Sequence, residues 1–175
     1  MSPILESKRL SFHPWSKDDL GLLVGLNMDE DVMHFFPSTQ DATESEKWLE
    51  RQMGMFEKYG FCYFKTIEKE TNDFVGIIGL SMQEYKSPFN PSVDLGYRIH
   101  KAFWNKGMAT EGGKACLNFA KELGLTKISC VASKINKPSI QVMEKLGFTY
   151  QYDFIHSSME SESHLQPCVF YQKEL

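Results

Sequence analysis

The sequence predicts an α+β fold of three layers: a mixed, mostly antiparallel sheet of about six or seven strands, a central parallel βαβ unit, and helices on both faces. Three observations predict it. Val93, Leu95, Tyr97 and Ile99 alternate with Asp94, Gly96, Arg98 and His100, the period-2 pattern of a strand with two unlike faces. From Met108 the apolar period becomes that of a helix face, through Gly112, Ala115, Cys116, Phe119, Ala120 and Leu123, with Gly124 placed as a left-handed cap. The β-branched run KISCVAS, residues 127 to 133, follows that helix, so it should lie parallel to the Val93 strand by a right-handed crossover.

The remaining elements follow in chain order. RLSFHP, residues 9 to 14, alternates as a first strand, and Ser16 with Asp19 opens a helix that carries Leu20, Leu23 and Val24 on one face. A short second helix is expected from Asp29 to Phe36, closed by Pro37. Thr43 to Glu46 is a capping-box pattern that starts a longer helix, with Leu49, Met53 and Phe56 on its buried face and Gly60 at its end. FCYFKTIE and FVGIIGLSMQE then read as two strands joined by a hairpin turn at Glu70 to Asp73. The polar, Pro-containing loop from Tyr85 to Pro91 leads into the Val93 strand and completes an antiparallel meander. Asn136 to Ser139 opens another helix, with Ile140, Met143 and Leu146 as its stripe and Gly147 after it. Phe148 to Ile155 and Cys168 to Gln172 are strand-like, separated by the polar loop HSSMESESHLQP.

A chain of 175 residues without repeats or a linker is expected to form one domain, residues 1–175. Hydrophobic residues make up 42%, aromatic 13% and charged 24%, the balance of a globular protein rather than a disordered one. No apolar run approaches the ~18–20 residues of a membrane-spanning helix, and MSPILESKRL lacks a signal-peptide core, so no membrane partner and a cytoplasmic location are expected. A net charge of −4 argues against a nucleic-acid partner and is compatible with a cationic substrate. Cys62, Cys116, Cys130 and Cys168 lie far apart in apolar segments without CxxC spacing, and the five histidines lack HxxxH spacing. Buried thiols and no metal are the expectation.

Strand, small-residue turn and helix N-terminus meet at Trp104-Asn105-Lys106-Gly107-Met108-Ala109-Thr110. That geometry aims backbone N–H groups and a positive helix dipole at one point, where a pyrophosphate can sit. Neither GxGxxG nor GxxxxGK[ST] is present. Gly107 and Ala109 instead remove bulk at alternate positions.

These residues resemble the GNAT N-acetyltransferases over nearly the whole chain. In that family a loop of form [RQ]xxGx[GA] binds the pyrophosphate of acetyl-CoA; here it reads Trp104 to Ala109, followed by Thr110 and Glu111. Trp in first place departs from the general pattern and is similar to the branch that acetylates the N-terminal amine of ribosomal proteins. A second family segment, NxxSxxxxxKxGF, is matched by Asn136, Ser139, Lys145, Gly147 and Phe148. The resemblance implies acetyl-CoA as cosubstrate, contacted by Ile99, the loop Trp104 to Thr110, Asn136 and Ser139. It implies an amine acceptor, either a protein N-terminus or a small molecule, and a monomer or homodimer. Many family members use a Tyr in the second segment as general acid, where this chain has Met143. The ribosomal-protein branch implies Ser139 as acid and Glu84, at the end of GIIGLSMQE, as base. Asp94 and Tyr97 on the adjacent strand are the reserves. A CoA-binding module without turnover, suggested by Met143, is the competing reading, and a nucleotide-binding protein, lacking an acidic ribose-binding residue, ranks behind it.

Overall fold

A computed structural model describes residues 2–157 and 163–175. Part of the polar loop expected between the last two strands, 158–162, lies outside the described residues. Eight strands form one sheet in the order β1 (Leu5–Glu6), β2 (Leu10–His13), β3 (Tyr63–Glu68), β4 (Phe74–Gln83), β5 (Ser92–Ile99), β6 (Lys127–Ser133), β8 (Cys168–Glu174), β7 (Thr149–Phe154). The strand beyond the expected seven is β1, whose two residues are too few to show an alternation. Every neighbouring pair is antiparallel except β5 and β6, the parallel pair of the βαβ unit.

Among the described residues four α-helices flank the sheet: α1 (Leu20–Asn27), α2 (Ala42–Tyr59), α3 (Met108–Glu122) and α4 (Lys137–Lys145). The region 29–36 is not a helix but successive turns. Asp29 Oδ1 accepts from the N–H groups of Asp31 and Val32, and the backbone mixes i−4 with i−3 bonds, so no helical ladder propagates. The capping box of α2 also sits two residues earlier than expected. Asp41 Oδ1 accepts from Glu44 N at 2.8 Å while Glu44 Oε2 accepts from Asp41 N at 3.0 Å. Both Asp41-x-x-Glu44 and Thr43-x-x-Glu46 satisfy the pattern, and the aspartate wins.

The core lies between sheet and helices, around Phe12, Phe64, Ile78, Leu80, Cys116 and Ile128, each fully buried. All four cysteines are buried thiols. The feature that positions a site is the weak union of β5 and β6, which share a single register pair, Asp94 with Ser129. Beyond it the strands separate. The Leu95 carbonyl accepts from the Cys130 thiol at 3.1 Å, and the Ile99 carbonyl from Trp104 Nε1 at 2.7 Å, where strand bonds would otherwise run. Tyr97 shares the parity of Leu95 and Ile99, so its peptide groups face the split.

Candidate active site

A cavity of about 780 Å³ passes through this split and is lined from both faces of the sheet. At one end lies the loop after β5. Asn105 and Gly107 both adopt left-handed backbone, φ 60° and 75°, which turns the chain sharply into α3. Glu111 N–H is the first to bond within the helix, to Gly107 O at 2.9 Å, so the amides before it face outward from a helix N-terminus. A Cβ on Gly107 would meet only Arg9 Nη2, at 3.8 Å, which leaves the approach to those amides open. The residues present therefore fit a pyrophosphate.

Sequence reasoning missed the brace behind this loop. Glu111 accepts from Ser7 Oγ, Arg9 N and Arg9 Nε, all at 2.7 Å, and Arg9 Nη2 donates to Lys106 O at 3.0 Å. Burial pushes the Glu111 carboxyl up, but the bonds from Ser7 and Arg9 outweigh it and hold its pKa below the usual value. The only signal in the sequence was the acidic residue in the first helical turn.

On the α4 side, Asn136 Oδ1 caps the helix by accepting from Ser139 N at 3.1 Å. The Tyr97 hydroxyl donates to Ser139 O at 2.9 Å and lies 2.9 Å from Ser139 Oγ. Burial raises the Tyr97 pKa far above the ordinary phenol value. Met143 is buried and also lines the cavity. Ile99, Trp104, Asn105, Gly107, Met108, Ala109, Thr110, Asn136 and Ser139 all border the cavity; Lys106 stands beside it on the loop, its Nζ 5.4 Å from the Phe103 ring centroid.

On the opposite face of β5, Asp94 points toward β3. The β4–β5 register pairs Gly79 with Gly96, and β3 pairs Tyr63 with Gly79. A Cβ on Gly96 would lie 2.7 Å from the Tyr63 ring, so glycine there lets the ring cross the strand. Its hydroxyl donates to Asp94 Oδ2 at 2.5 Å and accepts from Gln83 Nε2 at 3.0 Å. Asp94 Oδ1 is sealed from solvent without a hydrogen-bond partner. Burial pushes the Asp94 carboxyl up to about 7, against the opposing pull of the Tyr63 bond. Trp48 stacks on Tyr63, with 10° between the planes.

Glu84, by contrast, does not reach this cluster. It follows Gln83, the last residue of β4, is exposed, and has the Lys58 ammonium as its electrostatic neighbour. The structure thus brings the reserve carboxylate, Asp94, into the cavity wall and leaves Glu84 outside. Among the described residues no three His, Cys, Asp or Glu side chains converge as a metal site requires, and no helix is long and apolar enough to cross a membrane.

A family model described as an acetyltransferase (GNAT) domain matches residues 9–149. The uncharacterised protein YkkB of Bacillus subtilis (strain 168) is 27% identical over 148 residues, 83% of this chain and 85% of its own length. An FsC-acetyl coenzyme A-N(2)-transacetylase of Aspergillus fumigatus is 27% identical over 164 residues, 88% of this chain and 68% of that protein. Among solved structures, RimL, a ribosomal L7/L12 α-N-protein acetyltransferase in complex with coenzyme A, aligns with a TM-score of 0.81 at 14% identity, over 99% of this chain and 98% of that one.

Proposed function

The chain belongs to the GNAT acetyltransferase family, and on that premise we propose that it is an enzyme transferring the acetyl group of acetyl-CoA to a primary amine by direct attack. One observation carries this reading: a single cavity joins an anion-binding helix N-terminus to a buried carboxylate across the split in the sheet. Acetyl-CoA, when bound, supplies the activated acetyl thioester. The amides from Lys106 to Thr110 would hold its pyrophosphate, and the peptide groups of Tyr97, with the Ile99 N–H, would face its pantetheine arm, the Ile99 carbonyl being taken by Trp104 Nε1. Asn136 keeps α4 in place beside that arm.

The residues divide the proton work. A free α-amine has pKa ~8 and a lysine ~10.4, so the acceptor must lose a proton before it can attack. The Tyr63 hydroxyl takes that proton while passing its own to Asp94 Oδ2, along the 2.5 Å bond already formed. Asp94, with a pKa of about 7, is ionised often enough at neutral pH to accept it. On the other face Ser139 Oγ, held 2.9 Å from the Tyr97 hydroxyl, gives its proton to the departing sulfur and regains one from solvent. Glu84 is the second candidate base, ranked behind Asp94 because it stands outside the cavity lining. A ribosomal-protein N-terminus, the finer assignment suggested by Trp104 and Ala109-Thr110-Glu111, is one acceptor of the proposed class.

The test is a screen of thiol release from acetyl-CoA over N-terminal peptides, polyamines and amino acids. Amine-dependent release supports the reading; tight CoA binding without release on any amine supports a binding module instead. The brace gives a further expectation. Arg9→Ala frees Lys106 O and leaves Glu111 with Ser7 Oγ and the backbone N–H of residue 9, so the KM for acetyl-CoA should rise about threefold to tenfold at nearly constant kcat. Steady-state kinetics with varied acetyl-CoA checks this, and a fall in kcat alone would remove Arg9 from the loop's support.

A further inference from the structure

The acceptor half of the cavity holds a positive charge without a negative one beside it. Arg98 projects from the same face of β5 as Asp94, with its guanidinium carbon 4.3 Å from the Phe36 ring centroid. One Nη donates to Asn27 Oδ1. Asn27 is itself fully buried, and its amide group donates to Gln40 Oε1 and Ser45 Oγ, each at 3.0 Å, which fixes the orientation of that oxygen. Arg98 Nε is sealed from solvent and has no acceptor. Among the described residues no carboxylate lies within ion-pair distance of the guanidinium. Asp31, which also borders the cavity, is held by Lys101. Burial draws the Arg98 pKa down to about 10, opposed by the nearby Tyr63 and helped by repulsion from Arg51, yet the group stays charged at neutral pH.

A buried guanidinium answered only by a neutral amide and a ring face is costly for the fold, and its planar fork matches a carboxylate bidentately. From this we infer that Arg98 receives a carboxylate of the acceptor, so that the substrate class is an amine carrying a carboxylate several bonds from the reacting nitrogen. The inference rests on the cavity being the acetyl-transfer site. The separation follows from Tyr63: its ring lies over Gly96, between Asp94 and Arg98, whose strand positions are ~13 Å apart. An α-amino acid, with amine and carboxylate on one carbon, does not reach across that ring to both groups. The side-chain amine of a diamino acid does, and so does the N-terminus of a peptide with an acidic residue near its start.

Matched acceptors test this. One pair is a diamino acid and its decarboxylated diamine; the other is a short peptide with an acidic second residue and the same peptide with the corresponding amide. Binding to the CoA complex is measured by calorimetry, and turnover by thiol release, for the wild type, Arg98→Gln and Arg98→Lys. The wild type should favour the carboxylate-bearing member of one pair by about tenfold to a hundredfold in both readouts, and the favoured pair identifies the source of the carboxylate. Arg98→Gln should bring that ratio close to one, and Arg98→Lys, which keeps the charge, should retain part of it. A wild-type ratio near one, or an equal loss on both members in Arg98→Gln, overturns the inference. Preferential binding without thiol release keeps the Arg98 assignment and defeats the transfer reading; thiol release without preference does the reverse.

Discussion

Asp94→Asn should lower kcat/KM for the acceptor amine by about 10²–10⁴, the range for loss of a positioned acid–base group, while making the folded protein relatively more stable at alkaline pH. The first effect follows from the hydrogen bond. Asparagine still accepts from the Tyr63 hydroxyl in place of Oδ2, so the ring stays over Gly96, but the amide cannot take up a proton. The second follows from burial, which raises the carboxyl to about 7 in the folded chain against ~3.9 in the unfolded one. Below pH ~4 both states are protonated and the group contributes nothing. Between ~4 and ~7 the unfolded chain releases the proton and the folded chain keeps it, so the aspartate weakens the fold progressively, and above ~7 the penalty is constant. The Tm of Asp94→Asn minus that of wild type should therefore grow through this window and then level. A carboxylate whose ionised form the fold stabilised would show the opposite sign, with the variant losing stability relative to wild type as pH rises.

The second large effect is expected at the anion loop. Gly107→Val should weaken CoA binding by at least about 10-fold to 100-fold, measured by calorimetry, with the circular dichroism of the fold retained. Two costs coincide there. A β-branched residue at φ 75° is strained by about 1–2 kcal/mol. Its side chain also adds bulk to the tight loop that carries the amides, with Arg9 Nη2 as the one neighbour within 4 Å of the new Cβ. Gly107→Asn separates the two, since asparagine tolerates left-handed backbone as Asn105 already does in the same loop. It should hold the turn and lose affinity through bulk alone. Unchanged affinity in both variants would move the pyrophosphate elsewhere.

Much of the fold was legible because its signals are local. The change of apolar period at Met108, small residues at Gly107 and Ala109, and Asn136 before Ser139 each act within a few residues, and the helices and the cap form where those patterns stand. The misreadings occurred where local signals tied or where partners were distant. Asp41 and Thr43 both offered a capping box to α2, and sequence alone does not rank them. From Asp29 to Phe36 the apolar spacing suits a helix, but the Asp29 side chain bonds its own backbone first. The placement of β8 between β6 and β7 depends on tertiary packing that no pattern within one strand reveals.

The candidate site divides in the same way. The anion loop is contiguous and could be read; the Tyr63–Asp94 pair spans 31 residues and exists only through the registers of β3, β4 and β5. Gly96 carried the one available hint, since a glycine inside a strand marks the close approach of another group. Arg98 and Arg9 look like ordinary polar positions of alternating strands until their neighbours are known.

The most direct measurement is the pH profile of kcat/KM for one acetylated amine, from pH ~5.5 to ~9, in wild type, Glu84→Gln and Asp94→Asn. The expected result is a rise through pH ~7 in the wild type, in addition to the amine's own ionisation, as Asp94 loses its proton. That rise should be intact in Glu84→Gln and absent in Asp94→Asn, leaving only the amine's limb. A profile that loses the limb near 7 in Glu84→Gln while Asp94→Asn keeps it would contradict the assignment and place the base at the exposed end of β4.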